Sequence, residues 1–256
     1  MVEVGICRWF RGKKAAFSLR FDDAHPTHVE KAVPMLNERG FVGTFLINPG
    51  NRGYNEHRAD WEGPVIRQGH ELGDHTLNHR GARTDREAEE QIGGCAETIW
   101  RLQPERGRLL AFQQGGATVW LQRKPLDFFL AKYALFLPGA SMSCSEAYPS
   151  FTLDAFKERL DRALAEGDWL QTHFHGIDAG HLYISTPVFL RLLDHARREE
   201  VWQTGMASAH KYQQERDRSI RNFAAGIVAF RRQRKLRLSI YQWSGGISRP
   251  KRANRL

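Results

Sequence analysis

Alternating hydrophobic and polar positions predict the first strand of the chain. Over residues 15–21, Phe and Leu side chains alternate with Ser and Arg, which is the two-residue period of a β-strand with two different faces. Short apolar runs between polar or Gly-containing segments predict further strands at 41–47, 108–112, 169–175 and 201–202. The apolar segment 126–137 fits a helix as well as it fits a strand.

Helical signals lie between these predicted strands. Thr84 and Glu87 form a capping box, which predicts a helix through about residue 102. Thr152 precedes a helix with one apolar face that should end at Gly167. Thr186, followed by a proline, is the predicted N-cap of another helix to about residue 198. Two more helices are predicted at 27–39, which contains Pro34, and at 206–216. Strands that alternate with helices predict an α/β fold with a largely parallel sheet.

Basic residues are concentrated at the C-terminal end. Residues 211–256 contain 13 Lys and Arg and two acidic residues, a net charge of +11, whereas the whole chain carries +9. The rest of the chain is therefore close to neutral. Apolar and polar residues alternate again over 236–240, so we predict a globular domain at 1–217 and a basic C-terminal extension at 218–256, a β-hairpin with a disordered end. The extension is either a solvated tail or a contact surface for an anionic polymer or membrane.

Composition narrows the class of protein. Hydrophobic residues make up 41% and charged residues 26%, which is ordinary for a globular protein. No apolar run has the length of a membrane span. The first ten residues show no signal peptide. We expect a cytoplasmic protein, or a secreted one whose leader is missing from this chain.

The candidate chemistry is concentrated around residues 69–79, Gly-His-Glu-Leu-Gly-Asp-His-Thr-Leu-Asn-His. On a helical turn, the four-residue spacing of His75 and His79 would place both imidazoles on one face, close enough to share a metal ion. Asp22 and Asp23 follow the first predicted strand and can supply a carboxylate ligand. Catalytic groups of α/β folds lie at the carboxyl ends of strands, so these residues and His175 are expected to form one site.

These residues resemble the polysaccharide deacetylase family, the NodB homology group also called carbohydrate esterase family 4. Residues 20–23, Arg-Phe-Asp-Asp, match its first motif, an apolar strand that ends in T-F-D-D. Residues 69–79 match its second motif, H-[ST]-x-x-H, with the preceding G-H-E-[IL]-G. Residues 169–177 resemble the late strand that ends in a catalytic histidine. The resemblance spans roughly residues 15–212 and implies a distorted, incomplete (β/α) barrel of about seven parallel strands.

The resemblance also implies a ligand set. Asp23, His75 and His79 would hold a divalent metal ion, with positions left open for water and substrate. Zinc is the first choice, and cobalt or another divalent ion suits the same nitrogen and oxygen ligands.

The remaining site residues are implied in the same way. Asp22 would be the general base. His175 would be the general acid that protonates the leaving amine, although His173, two residues away on the same strand face, could also fill this role. His25, His173 and Trp169 are the candidate substrate-binding residues.

The function implied is that of a hydrolase acting on a C–N amide bond. It would remove N-acetyl groups, with O-acetyl groups as the weaker choice, from an N-acetylated carbohydrate by attack of metal-bound water. The family's third motif, R-x-P-x-[GF], supplies an Arg that orients the base, but the matching segment 112–116, Phe-Gln-Gln-Gly-Gly, has neither Arg nor Pro. Two alternatives therefore stand: an amide hydrolase for a small molecule, or an inactive relative that binds a glycan or an anionic partner.

Overall fold

The computed structural model describes residues 6–234, with side chains described as far as residue 223. The strands within these residues are β1 (Ala15–Phe21), β2 (Gly43–Ile47), β3 (Glu71–Asp74), β4 (Leu110–Ala111), β5 (Leu135–Phe136), β6 (Met142–Ser143), β7 (Trp169–Phe174) and β8 (Val201–Gln203). The α-helices are α1 (Val33–Glu38), α2 (Arg52–Glu56), α3 (Arg58–Trp61), α4 (Pro64–Arg67), α5 (Asp85–Ala88), α6 (Gly94–Leu102), α7 (Leu126–Lys132), α8 (Leu153–Glu166), α9 (Thr186–Ala196) and α10 (Met206–Arg234). Short π-helices, His28–Ala32 and Glu89–Gly93, lead into α1 and α6.

The strands form an open, parallel, barrel-like sheet. One sheet has the order β3-β2-β1-β7-β6, and β4 pairs with β5. An isolated bridge between Asp74 and Phe112 joins β3 to β4. Seven strands thus follow one another from β6 to β5, and no ladder joins β5 to β6 within the described residues. All pairs are parallel, which confirms the predicted incomplete (β/α) barrel.

Both faces of β1 are buried. Its outer face packs against helices: the ring centroid of Phe17 is 5.8 Å from that of Phe156 on α8, and that of Phe21 is 6.1 Å from that of Phe189 on α9. Its inner face carries polar side chains, among them Ser18, whose hydroxyl accepts a hydrogen bond from the Trp169 indole. Beside this tryptophan, a small cluster fills the barrel interior: Leu46, Ala111, Phe136 and Met206. The alternation predicted the strand correctly, but its polar face points into the barrel instead of into water.

Several predicted elements differ in detail. The helix predicted at 27–39 is divided into a π-helical and an α-helical part at Pro34, which has no N–H for the preceding turn. Ser185 takes the N-cap position of α9 that was predicted for Thr186. The ambiguous segment 126–137 contains both a helix, α7, and a strand, β5. The other capping predictions are confirmed, since Thr84 and Thr152 each accept a backbone N–H and Gly167 is left-handed at the end of α8.

The last helix is longer than predicted. Helix α10 does not end near residue 216 but continues through the predicted boundary between residues 217 and 218 to Arg234. The alternating segment 236–240 lies outside the described residues. The division into a domain and a basic extension stays a prediction. Among the described helices, none combines the length and the apolar character that a membrane crossing requires.

We expect Gly73 to be needed for the approach of β3 to β4. A Cβ atom at this position would contact the Leu46 side chain and lie 2.8 Å from the carbonyl oxygen of Ala111. Gly73→Ala should therefore lower the free energy of unfolding by about 1–3 kcal/mol, as overpacked sites do. Gly116→Ala is the control, because a Cβ there meets nothing within 4 Å. Urea denaturation measures both, and equal stabilities would contradict the expectation.

His70 should make stability depend on pH. It is fully buried; its Nδ1 accepts the Gly43 N–H at 3.1 Å and its Nε2–H donates to Asn37 Oδ1 at 3.1 Å. Burial, with a smaller effect of Arg106, lowers the pKa of His70 from 6.5 to about 4. Between these values the unfolded chain binds a proton that the folded chain does not, so the free energy of unfolding should fall as pH drops from 6.5 to about 4.

The variant His70→Gln isolates this effect, because glutamine can donate and accept hydrogen bonds but does not titrate. Urea unfolding of both proteins across this pH range should show a shallower pH dependence for His70→Gln. Identical slopes would show that another group is responsible.

Candidate active site

The two carboxylates follow β1 directly, in a tight turn. Asp23 has a φ of 77° and Ala24 a φ of 48°, both in the left-handed region that non-glycine residues rarely adopt. On a regular strand, neighbouring side chains point to opposite faces. The turn removes this restriction, so that Asp22 and Asp23 can serve one site, as the sequence analysis expected.

The histidine pair lies in an irregular loop and not on the helical turn considered from its spacing. Residues 75–80 contain no helix, and Thr76 and His79 have φ values of 70° and 57°. Asn48 fixes this loop: its amide donates to the carbonyl of His75 and, at 3.0 Å, to that of Thr76. The Thr76 hydroxyl accepts the His79 N–H at 3.1 Å. The loop places the two imidazole centroids 4.9 Å apart.

Asp23, His75 and His79 converge on one point. Asp23 Oδ1 lies 3.2 Å from the Nε2 atoms of both histidines. This oxygen is buried and has no hydrogen-bond partner among the described residues. The Nδ1–H of His75 donates to the Gln113 carbonyl at 2.7 Å, which leaves the Nε2 lone pair free on the side of Asp23. A carboxylate oxygen and imidazole nitrogens that face one another without a shared proton fit a divalent cation, so these residues could hold a metal.

Gly115 allows the loop after β4 to approach this point. A Cβ at Gly115 would lie 2.7 Å from both Cε1 and Nε2 of His79. In the sequence, the segment that contains Gly115 was notable as a departure from the family's third motif, and no local signal connects Gly115 with His79.

Asp22 is a buried carboxylate with one oxygen held and one free. Its Oδ2 accepts a hydrogen bond from Arg20 Nη2 at 2.8 Å, and its Oδ1 is buried without a partner among the described residues. Burial raises the pKa of Asp22, but the Arg20 guanidinium and the nearby imidazoles outweigh this effect and hold the pKa below its usual value. Asp22 therefore stays ionised. Arg20 was not predicted as a site residue, although a spacing of two along a strand places both side chains on one face.

His175 is the late histidine that reaches the site. It follows β7 directly, and its Nε2 lies 3.8 Å from Asp23 Oδ2. Its carbonyl accepts a hydrogen bond from the ring of the buried His28. His173, in contrast, is engaged through its Nδ1 by the Ser141 hydroxyl at 2.9 Å. Burial and the neighbouring Arg20 lower the pKa of His173 to about 4, so its ring is neutral at neutral pH.

The other two predicted substrate-binding residues lie in different places. His25 belongs to the site region, because its ring lies 3.5 Å from the position a Cβ would take on Gly176, next to His175. Trp169 begins β7 and packs inside the barrel, about 20 Å along the strand from His175 at the usual rise per residue. The structure does not bring Trp169 to the site.

Comparison with known protein families agrees with this geometry. The family model described as polysaccharide deacetylase matches residues 11–122, the segment that contains Asp22, Asp23, His75 and His79. This segment belongs to the polysaccharide deacetylase family. The family match indicates an amide-hydrolysing deacetylase. His175 lies outside the matched segment, so its inclusion in the candidate site is based on the structure.

Solved structures of deacetylases share the fold. The peptidoglycan deacetylase PdaC from Bacillus subtilis is 14% identical, with a TM-score of 0.56 over 86% of this chain and 97% of that chain. The catalytic domain of a peptidoglycan N-acetylglucosamine deacetylase from Eubacterium rectale is 12% identical, with a TM-score of 0.54 over 79% of this chain and 93% of that chain. A family 4 carbohydrate esterase from Streptomyces lividans, in complex with acetate, is 14% identical, with a TM-score of 0.53 over 75% and 92% of the two chains. No curated protein sequence matches.

Metal binding by this deacetylase segment can be tested directly. We expect zinc to bind to the wild-type chain, and Asp23→Asn and His79→Ala to weaken it by more than about 100-fold, because even the loss of a residue that only orients a ligand costs 10–100-fold. Titration with zinc at neutral pH, followed by calorimetry, measures the affinities. His57→Ala is the control, since His57 contacts Glu30 and Asp60 instead of Asp23. Unchanged affinity in the two ligand variants would exclude this site.

Proposed function

We propose that this chain is a metal-dependent hydrolase that removes acetyl groups from a carbohydrate, with N-acetyl groups as the preferred substrate. The observation that carries the proposal is the convergence of Asp23, His75 and His79 on one point, with the held carboxylate of Asp22 next in the chain and His175 close by. The family match over residues 11–122 supports the same reaction class.

A divalent ion held by Asp23, His75 and His79, for which zinc is the first choice, would polarise the acetyl carbonyl and lower the pKa of a nearby water. Asp22 is suited to accept the proton of the attacking water, because it is ionised and its Oδ1 has no partner among the described residues. Its other oxygen is occupied by Arg20, so the free oxygen has a defined direction. The water oxygen forms the new bond to the acetyl carbon.

His175 is suited to protonate the leaving amine. Burial lowers the pKa of His175 although Asp22 and Asp23 act in the opposite direction, which makes its protonated form a stronger acid. As the C–N bond breaks, the proton moves from His175 to the nitrogen, and acetate and a free amine are released. His28 holds the His175 carbonyl and thereby fixes the end of β7. His25, beside Gly176, is placed to contact substrate at the edge of the site.

The substrate class rests on the family. An N-acetylated carbohydrate is what polysaccharide deacetylases act on, and two of the proteins with a similar fold are described as peptidoglycan deacetylases. A small-molecule amide would meet the same chemical groups, so a substrate panel must separate the two. The hypothesis of an inactive relative was based on the missing third-motif Arg. The contact between Arg20 and Asp22 weakens this hypothesis. Contact of the basic extension with an anionic polymer stays a prediction.

Acetate release from N-acetylglucosamine oligomers tests the proposal. We expect release by the wild-type chain that stops on chelation and returns when zinc is added. Asp22→Asn should lower kcat by at least about 100-fold, the usual contribution of a general base. His57→Ala, as before, serves as the matched control.

Two other outcomes have definite meanings. Zinc binding with turnover of small amides only would transfer the assignment to a small-molecule amide hydrolase. Zinc binding without turnover of either substrate class would favour a binding protein.

A further inference from the structure

Arg20 carries a buried positive charge inside the barrel. Among residues 6–223, whose side chains are described, it is the one Lys or Arg side chain that is buried, at 5% exposure. Its guanidinium forms a 2.8 Å ion pair with Asp22, and both side chains are nearly inaccessible to water. In each of the other ion pairs of the described residues, at least one of the two side chains is exposed to solvent, as Asp194 is in its pair with Arg39. Burying a guanidinium is unfavourable because the charge loses its hydration. An apolar side chain of similar volume could fill the same space in the barrel.

The contact constrains one carboxylate oxygen and leaves the other without a partner. Arg20 Nη2 holds Asp22 Oδ2, whereas Asp22 Oδ1 has no partner among the described residues. Arg20 lies on β1, and Asp22 directly follows this strand with its N–H still donating to the Phe174 carbonyl of β7, so the two-residue strand period puts both side chains on the inner face. Because β1 is paired on both edges, the distance between the two side chains is fixed by the strand itself.

No other described side chain forms a hydrogen bond or an ion pair with the Asp22 carboxylate. In the loop after β4, the Gln113 carbonyl accepts the His75 ring N–H, and the Gln113 side chain lies 3.5 Å from the Gln114 carbonyl. His173 is the register neighbour of Arg20 on β7, but its ring nitrogen is engaged by Ser141. Arg20 is therefore the described side chain that holds the Asp22 carboxylate by a hydrogen bond.

We propose that Arg20 is a positioning residue for the general base: it holds Asp22 Oδ2 so that Oδ1 is presented to the attacking water. The inference rests on the proposed hydrolase function. One strand end, residues 20–23, then provides the orienting cation, the base and the metal-binding carboxylate. The role that the family's third motif supplies from a different segment is here supplied from β1 itself.

A double-mutant cycle tests whether Arg20 acts through Asp22. Arg20→Met keeps the length of the side chain and removes its charge. We expect it to lower kcat by about 100-fold, close to the effect of Asp22→Asn, with KM changed less than about twofold. In the Asp22→Asn background, Arg20→Met should cause little further loss, because residues that act as a unit are not additive. Losses that add independently, a rise in KM with unchanged kcat, or full activity of Arg20→Met would overturn the proposal.

Two further variants separate positioning from folding. Arg20→Lys keeps a charge but not the planar donor group, so it should recover part of the kcat lost in Arg20→Met. Arg39→Met removes a cation from a surface ion pair and should leave kcat unchanged. Zinc affinity should be the same in all Arg20 variants, because Asp23, His75 and His79 are untouched. Thermal melting shows whether Arg20→Met folds. If it does not fold, Arg20→Lys decides the question, and a wild-type kcat in Arg20→Lys would contradict the proposal that the guanidinium directs Asp22.

A crystal structure of Arg20→Met gives an answer that does not depend on turnover. The Asp22 carboxylate should rotate away from its wild-type direction, whereas Asp23, His75 and His79 should superpose. A carboxylate that keeps its wild-type direction would overturn the positioning role, even if activity is lost. If the wild-type chain releases no acetate but the carboxylate rotates, the proposed reaction fails while the structural role of Arg20 stands.

Discussion

Hydrogen bonding along both edges of β1 is the constraint on which the site depends. Residues 16–21 pair with β7 on one edge, and the other edge is shared by β8 at its start and β2 at its end. A strand held in this way cannot shift its register without turning every side chain to the wrong face. The turn that follows β1 therefore begins from a fixed position, and the directions of Asp22 and Asp23 follow from it.

The strands around β1 contribute to the same rim because all of them are parallel. β3 ends immediately before His75, and β7 ends immediately before His175. Strands that run in one direction must bring their carboxyl ends to one edge of the sheet, and polar side chains placed just after them meet there. The parallel topology thus forms the site from residues that directly follow their strands.

The site contains local strain that its surroundings support. Three of its non-glycine residues, Asp23, Thr76 and His79, have positive φ values, each of which costs about 1–3 kcal/mol. Asn48 and the Thr76 hydroxyl bind the backbone of this loop, and the bare Cα of Gly115 leaves room for the His79 ring. These contacts come from separate parts of the chain. Their combined effect is to hold three ligand atoms together before any ion binds, which reduces the ordering that binding requires.

Local patterns in the sequence determined much of this protein. The alternation at residues 15–21 gave β1, the capping residues Thr84 and Thr152 gave their helices, and the Asp-Asp and His-x-x-x-His pairs pointed to a shared metal site. Each of these features depends on neighbours within a few residues, where periodicity and hydrogen bonding act directly. Arg20 could also have been predicted from the sequence, because a spacing of two residues along a strand places its side chain on the same face as that of Asp22.

Tertiary structure decided the features that depend on distant residues. The helical turn considered for His75 and His79 is an irregular loop, because Asn48 and the approach of Gly115 stabilise a conformation that local preference does not favour. Trp169 belongs to the barrel interior and not to the site, because the register of β7 against β1 places it at the opposite end. His175 is distinguished from His173 by the neighbours of each ring, Asp23 for one and Ser141 for the other. Such contacts join residues up to about 150 positions apart, and the periodicity of a single segment contains no information about them.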